Sequence, residues 1–121
     1  REGVPRTALH ALLDGRDTPP VSAAEFLPWT IARLGPQAVL ASVSGRYFGM
    51  DRDHRWERTE RWYRAAVRGE APPVTDAVAA LAAAHAAGTT DEFVEPFVLV
   101  DGDGHPVAPI RSGDVVVSFN F

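Results

Sequence analysis

Cysteine is absent from the 121 residues, and a disulfide scaffold, a thiolate zinc site and a cysteine nucleophile are excluded with it. Lysine is absent too: all twelve basic side chains are arginine. The positive charge is therefore planar, forked and permanently ionised, a geometry suited to carboxylate and phosphate. No apolar run approaches the roughly 20 residues of a membrane helix, and the opening residues lack the pattern of a signal peptide. A cytoplasmic protein with no membrane partner is the expectation. Acids outnumber bases, giving a net charge of −4, which argues against general nucleic-acid binding. Neither a Walker loop nor a dinucleotide fingerprint occurs.

What is present suffices for a core. Hydrophobic residues make up 45% and charged residues 23% of the chain, so residues 1–121 read as a single globular domain. Strands and helices alternate along it. Residues 7–13 (TALHALL) read as a strand buried on both faces, and residues 38–44 (AVLASVS) as a second. Between them Ser22 and Glu25 form the pattern of a capping box, with Val21 and Phe26 placed as a hydrophobic staple. Ala24, Leu27, Ile31 and Leu34 follow on one face and Gly35 is the stop, with a bend expected at Pro28.

A helix is predicted from residue 53 or 54 to Arg68, ended by Gly69. Its expected buried stripe is Trp56, Tyr63 and Val67, and its outer face carries the pairs Glu57–Arg61 and Glu60–Arg64. Thr75 is the expected cap of an alanine-rich helix to Ala87. Residues 95–100 read as a third strand, turning at residues 101–104 into a hairpin with residues 107–110. Residues 115–121 (VVVSFNF) read as a last strand that runs to the final residue, which predicts a piece of a longer protein. The fold class expected is α/β, a mostly parallel sheet flanked by helices.

Two strands end alike, in Asp14-Gly15-Arg16-Asp17 and in Ser44-Gly45-Arg46. Ligands of open α/β sheets sit beyond the carboxyl ends of the strands. If the two strands are parallel neighbours, Arg16 and Arg46 converge, with Arg52 close behind at the next helix. Three guanidinium groups at one point call for an anion, and a phosphorylated acid fits. Each arginine alone also reads as a solvated surface group. Three roles are open to Asp17: binding a hydroxyl, acting as a general base, or capping its own turn. Asp51-x-Asp53 and Asp101-x-Asp103-Gly104 open like calcium loops but lack the downstream glutamate, so turns are the better reading. His10, His54, His85 and His105 are dispersed, and Ser44 lacks the flanking pattern of a nucleophile elbow.

Taken in order, residues 13–20 (LDGRDTPP), 42–53 (SVSGRYFGMDRD), 55–58 (RWER), 90–94 (TDEFV) and 119–121 (FNF) resemble the cofactor-independent (2,3-bisphosphoglycerate-independent) phosphoglycerate mutases over nearly the whole chain. The resemblance implies an incomplete inserted domain, the phosphoglycerate-binding part of an alkaline-phosphatase-like enzyme. It implies Arg16, Arg46 and Arg52 as ligands of the substrate carboxylate and phosphate. It implies Asp17 as both substrate-binding and catalytic, moving hydroxyl protons while glycerate turns over in the cleft. It implies interconversion of 3-phosphoglycerate and 2-phosphoglycerate in glycolysis through a phosphoserine on another domain. Two manganese ions are implied on that missing phosphatase-like domain and none in this chain, which alone would be inactive. A related phosphotransfer enzyme with another substrate, and a stand-alone α/β module binding small anionic metabolites, are the alternatives.

Overall fold

The computed structural model describes residues 3, 4 and 6–119. Four strands form one mixed sheet in the order β1-β2-β4-β3. They are β1 (Thr7–Leu13), β2 (Ala38–Gly45), β3 (Pro73–Val74) and β4 (Phe97–Leu99). β1 runs parallel to β2 and β3 parallel to β4, while β2 and β4 are antiparallel. The expected α/β sheet flanked by helices is borne out. The short β3 lies where the sequence reading placed no strand.

One register shift organises the two faces. Leu9 pairs with Leu40 but His10 pairs with Ser42, so Ala41 is the extra residue of a bulge. Leu9, Ala11 and Leu13 thereby share a face with Leu40 and Val43 despite the odd spacing on β2. That face packs on α1 (Ala23–Ile31) and α4 (Ala77–Ala86) through Leu27 and Leu81. On the opposite face His10 shares a 2.7 Å hydrogen bond with Ser42 and meets the edge of Trp62 in α3 (Trp56–Tyr63). β1 is an edge strand with Thr7, Ala8 and Leu12 exposed, which corrects the expectation of burial on both faces.

Several helix details differ from the sequence reading. Ser22 sits in helical backbone, because a turn from Pro19 already precedes α1, and its hydroxyl bonds Thr18 instead of capping. Val21 and Phe26 are half-exposed and form no buried staple, and Ala24 is exposed where Ala23 is buried. α1 continues through Pro28 and ends at Ile31, before Gly35. Asp76, one residue past the expected Thr75, caps α4 by accepting from the amides of Val78 and Ala79. A carboxylate is the stronger cap.

α3 passes at Tyr63 into a π-helical turn, Arg64–Arg68, closed by Gly69 in the left-handed region. Ala65 and Ala66 in this turn are buried, while Trp56 and Tyr63, expected in the buried stripe, are exposed. Glu60–Arg64 forms as expected, but Arg61 pairs with Glu95 instead of Glu57. The hairpin after β4 is reduced to one bridge, Val100 to Pro106. Residues 115–119 form no strand and are exposed, since among the described residues no neighbour pairs with them. The remaining two residues of that expected strand, Asn120 and Phe121, lie outside the described residues.

Candidate functional site

The parallel register places Leu13 opposite Gly45, so the segments leaving β1 and β2 emerge side by side. Asp14 to Asp17 leave one strand, and Arg46 opens the short helix α2 (Arg46–Gly49) on the other. Arg46 Nη1 donates to Asp14 Oδ1 at 2.5 Å and to Asp17 Oδ2 at 2.6 Å. The same Asp14 oxygen accepts from the backbone amides of Arg16 and Asp17, which makes the DGRD run a closed turn.

Charge follows this geometry. Partial burial pushes the Asp14 carboxyl up, yet the Arg46 guanidinium and the amides of Asp17 and Arg16 outweigh it and hold it below its ordinary range. Arg46 is held still more firmly protonated, by Asp17 first and Asp14 second, against its partial burial.

Of the four residues singled out in the sequence, the structure brings Asp17 and Arg46 into contact. Arg16 points elsewhere: its side chain is 68% exposed, with its nearest acid Glu92 at 3.9 Å. Arg52 is exposed in the loop between α2 and α3 and makes no ion pair among the described residues. That loop is shaped by Asp51, whose buried carboxylate accepts from the Arg55 amide and from Arg58. Arg58 in turn stacks over Tyr47 at 3.8 Å. Arg46 thus already carries two carboxylates, and among the described residues neither the Arg16 nor the Arg52 side chain shares them.

The motif at residues 90–94 supplies what the sequence reading missed. Asp91 is fully buried, accepts from the Ala23 amide at the start of α1, and meets His85 Nε2 at 2.7 Å. Gly15 and Gly45 both rest on this turn. A Cβ on Gly45 would lie 2.2 Å from the Glu92 carbonyl, and one on Gly15 2.7 Å from Asp91 Cβ. The Gly45 amide also donates to Val94. Both strand ends are therefore set by one brace, and the glycines are what let them reach it. The signal was visible as a contiguous acidic motif, but nothing local said that its aspartate would cap a helix 68 positions away.

Other chemistry is limited. Ser44 is buried and donates to the Gly45 carbonyl, so it is no reachable nucleophile. A cavity of about 460 Å³ is lined by Val74, Ala84, Phe93 and Pro96 and touches none of the arginines. A smaller one of about 190 Å³ reaches the cluster through Asp14 and Thr18. Asp101, Asp103 and His105 lie within metal-ligand reach of one another. They are exposed, and the Asp101 oxygen is taken up by the amides of Asp103 and His105. They do not fit a buried two-metal phosphotransfer centre. No described helix is long and apolar enough to cross a membrane.

Known proteins resemble this chain in sequence and in fold. The family model described as the BPG-independent PGAM N-terminus matches residues 1–121. The 2,3-bisphosphoglycerate-independent phosphoglycerate mutase of Moorella thermoacetica is 48% identical over all of this chain and 24% of its own length. That of Chloroflexus aggregans is 53% identical over all of this chain and 23% of its own length. A crystal structure of Leishmania mexicana phosphoglycerate mutase at low cobalt concentration superposes with a TM-score of 0.86 at 37% identity, covering 93% of this chain and 22% of that one. The chain spans about a quarter of the length of these relatives. With its whole length matched by the family model, the chain belongs to the N-terminal family of the 2,3-bisphosphoglycerate-independent phosphoglycerate mutases.

Proposed function

We propose that this chain is the phosphoglycerate-gripping part of such a mutase, a partial inserted domain whose parent interconverts 3-phosphoglycerate and 2-phosphoglycerate in glycolysis. The observation that carries the reading is the meeting of Asp17 and Arg46 at the ends of two parallel strands. It puts a forked cation and an accessible carboxylate side by side, where an anionic hydroxy acid needs both.

Arg46, Arg16 and Arg52 would hold the carboxylate and phosphate through charge-assisted hydrogen bonds. The two arginines that are exposed now are free to turn onto a ligand. Asp17, with its side chain 73% exposed, would bind the substrate hydroxyls and exchange protons with them. The phosphoserine, the two manganese ions and the phosphatase-like domain that bears them belong to the rest of the parent protein in this proposal. So does the cytoplasmic location. With the phosphoserine and its metals placed outside it, this chain alone has no mutase activity in this proposal.

The test is a titration of 3-phosphoglycerate into the chain followed by amide NMR. Saturable shifts at Arg16, Asp17, Arg46 and Arg52 are expected, with a Kd of order millimolar, lost in Arg46→Ala and weakened in Arg16→Ala. Shifts scattered away from these residues, or a measurable mutase rate from the chain itself, would refute the assignment.

A further inference from the structure

The two carboxylates on Arg46 differ in freedom. Asp14 is 24% exposed, and its Oδ1 is fixed by two backbone amides of its own turn. Asp17 is 73% exposed, and among the described residues Arg46 is the one side-chain partner of its carboxylate. Both take the same nitrogen, Nη1, leaving the rest of the guanidinium fork uncommitted to either. The trio carries a net charge of −1, which opposes an incoming anion. That repulsion is relieved if one carboxylate leaves when a phosphorylated acid docks on the open part of the Arg46 fork, and the exposed ion pair is the weaker.

We propose that Asp14 is the permanent anchor of Arg46 and that Asp17 is an exchangeable stand-in for the anion, so that docking of the ligand releases the Asp17 carboxylate into the same cleft. This rests on the reading that Arg46 meets phosphoglycerate. Asp17 is then an unpaired proton acceptor only when a substrate is there to use it. Asp14 is a positioning residue: it acts through Arg46 and need not touch the ligand.

The test titrates 3-phosphoglycerate, and separately inorganic phosphate, into the chain and three variants. The carboxylate carbon signals of Asp14 and Asp17 and the side-chain nitrogen signals of Arg46 are followed. On saturation the Asp17 signal moves and the Asp14 signal does not. Asp17→Asn, which removes the competing charge and keeps an oxygen for a substrate hydroxyl, binds about threefold tighter, the scale of an exposed ion pair. Asp14→Ser keeps a turn acceptor but withdraws the oxygen from Arg46, and it binds at least about threefold weaker although a negative charge has gone. Asp14→Asn, whose amide oxygen keeps all three hydrogen bonds, restores binding to the original level or better.

Charge alone would make Asp14→Ser and Asp14→Asn equally tighter. That result, or an unmoved Asp17 signal on saturation with 3-phosphoglycerate, overturns the anchor-and-exchange scheme and leaves the substrate reading standing. If phosphate drives the exchange and 3-phosphoglycerate binds no tighter than phosphate, the substrate reading falls and the exchange stands. If neither anion moves Arg46 in any variant, both fall.

Discussion

Replacing Asp91 by alanine would remove two supports at once. One carboxylate oxygen caps α1 through the Ala23 amide at 2.8 Å, and the other meets His85 Nε2 at 2.7 Å. A lost cap costs about 1 kcal/mol. A lost hydrogen bond to an ionised group costs about 1.5–3 kcal/mol, and here the partner is left in a largely buried position. The sum is about 2.5–4 kcal/mol, a large share of the roughly 5–15 kcal/mol that stabilises a domain of ordinary size. Urea unfolding at neutral pH, read as a lower midpoint at unchanged slope, measures it. Asp91→Asn keeps an oxygen for the Ala23 amide and should lose about half as much. The amide signals of Gly15 and Gly45, which rest on the same turn, should shift in the alanine variant. A loss below about 1 kcal/mol for Asp91→Ala, with both glycine signals unmoved, would refute the brace.

Two further predictions test neighbouring claims. Gly45→Ala should cost about 3 kcal/mol because its Cβ runs into backbone that cannot swing aside, whereas Gly35→Ala, which meets nothing within 4 Å, should be close to neutral; thermal unfolding of the two side by side decides. Burial lowers the His10 pKa from 6.5, and its Nε2 is buried with no partner. The unfolded chain therefore binds the proton first: stability is full above about pH 6.5 and falls as pH drops below it toward the depressed native value. Urea midpoints between about pH 7 and pH 5 should show that slope in the parent and lose part of it in His10→Gln; an unchanged slope would remove His10 as the cause.

The convergence of the two strand ends was legible because it depends on local pattern. Two short apolar runs, each closed by glycine and arginine, pair in parallel, and pairing fixes where the following residues emerge. The helices were less legible wherever a distant residue competed with a local one. Ser22 and Glu25 have the spacing of a capping box, yet the first free amide of α1 goes to Asp91, which is buried beside it. A buried carboxylate must find donors, so it claims the Ala23 amide ahead of the Ser22 hydroxyl, which bonds Thr18 instead. The stripe on α3 failed for a different reason. Trp56 and Tyr63 are both exposed before the π turn begins, while Arg58, Trp62, Ala65 and Ala66 form the less exposed face at regular helical spacing, so the expected stripe missed the phase of the helix.

The site shows both kinds of reasoning at once. Arginine next to glycine at a strand end says that an anion can be approached by backbone and guanidinium together, and the sequence carries that much. It does not say that Asp14 would already occupy Arg46, because an aspartate before glycine is equally a turn residue. Here it is both: the hydrogen bonds that close the DGRD turn also aim its oxygen at Arg46. A single atom that shapes its own loop and orients a side chain from the next strand couples the backbone of one motif to the charge of the other. Substituting either glycine would move that atom relative to Arg46, since Gly15 and Gly45 set how closely both loops approach the Asp91–Glu92 turn. The motif glycines are in this sense part of the Asp14–Arg46–Asp17 cluster although neither contributes a side chain to it.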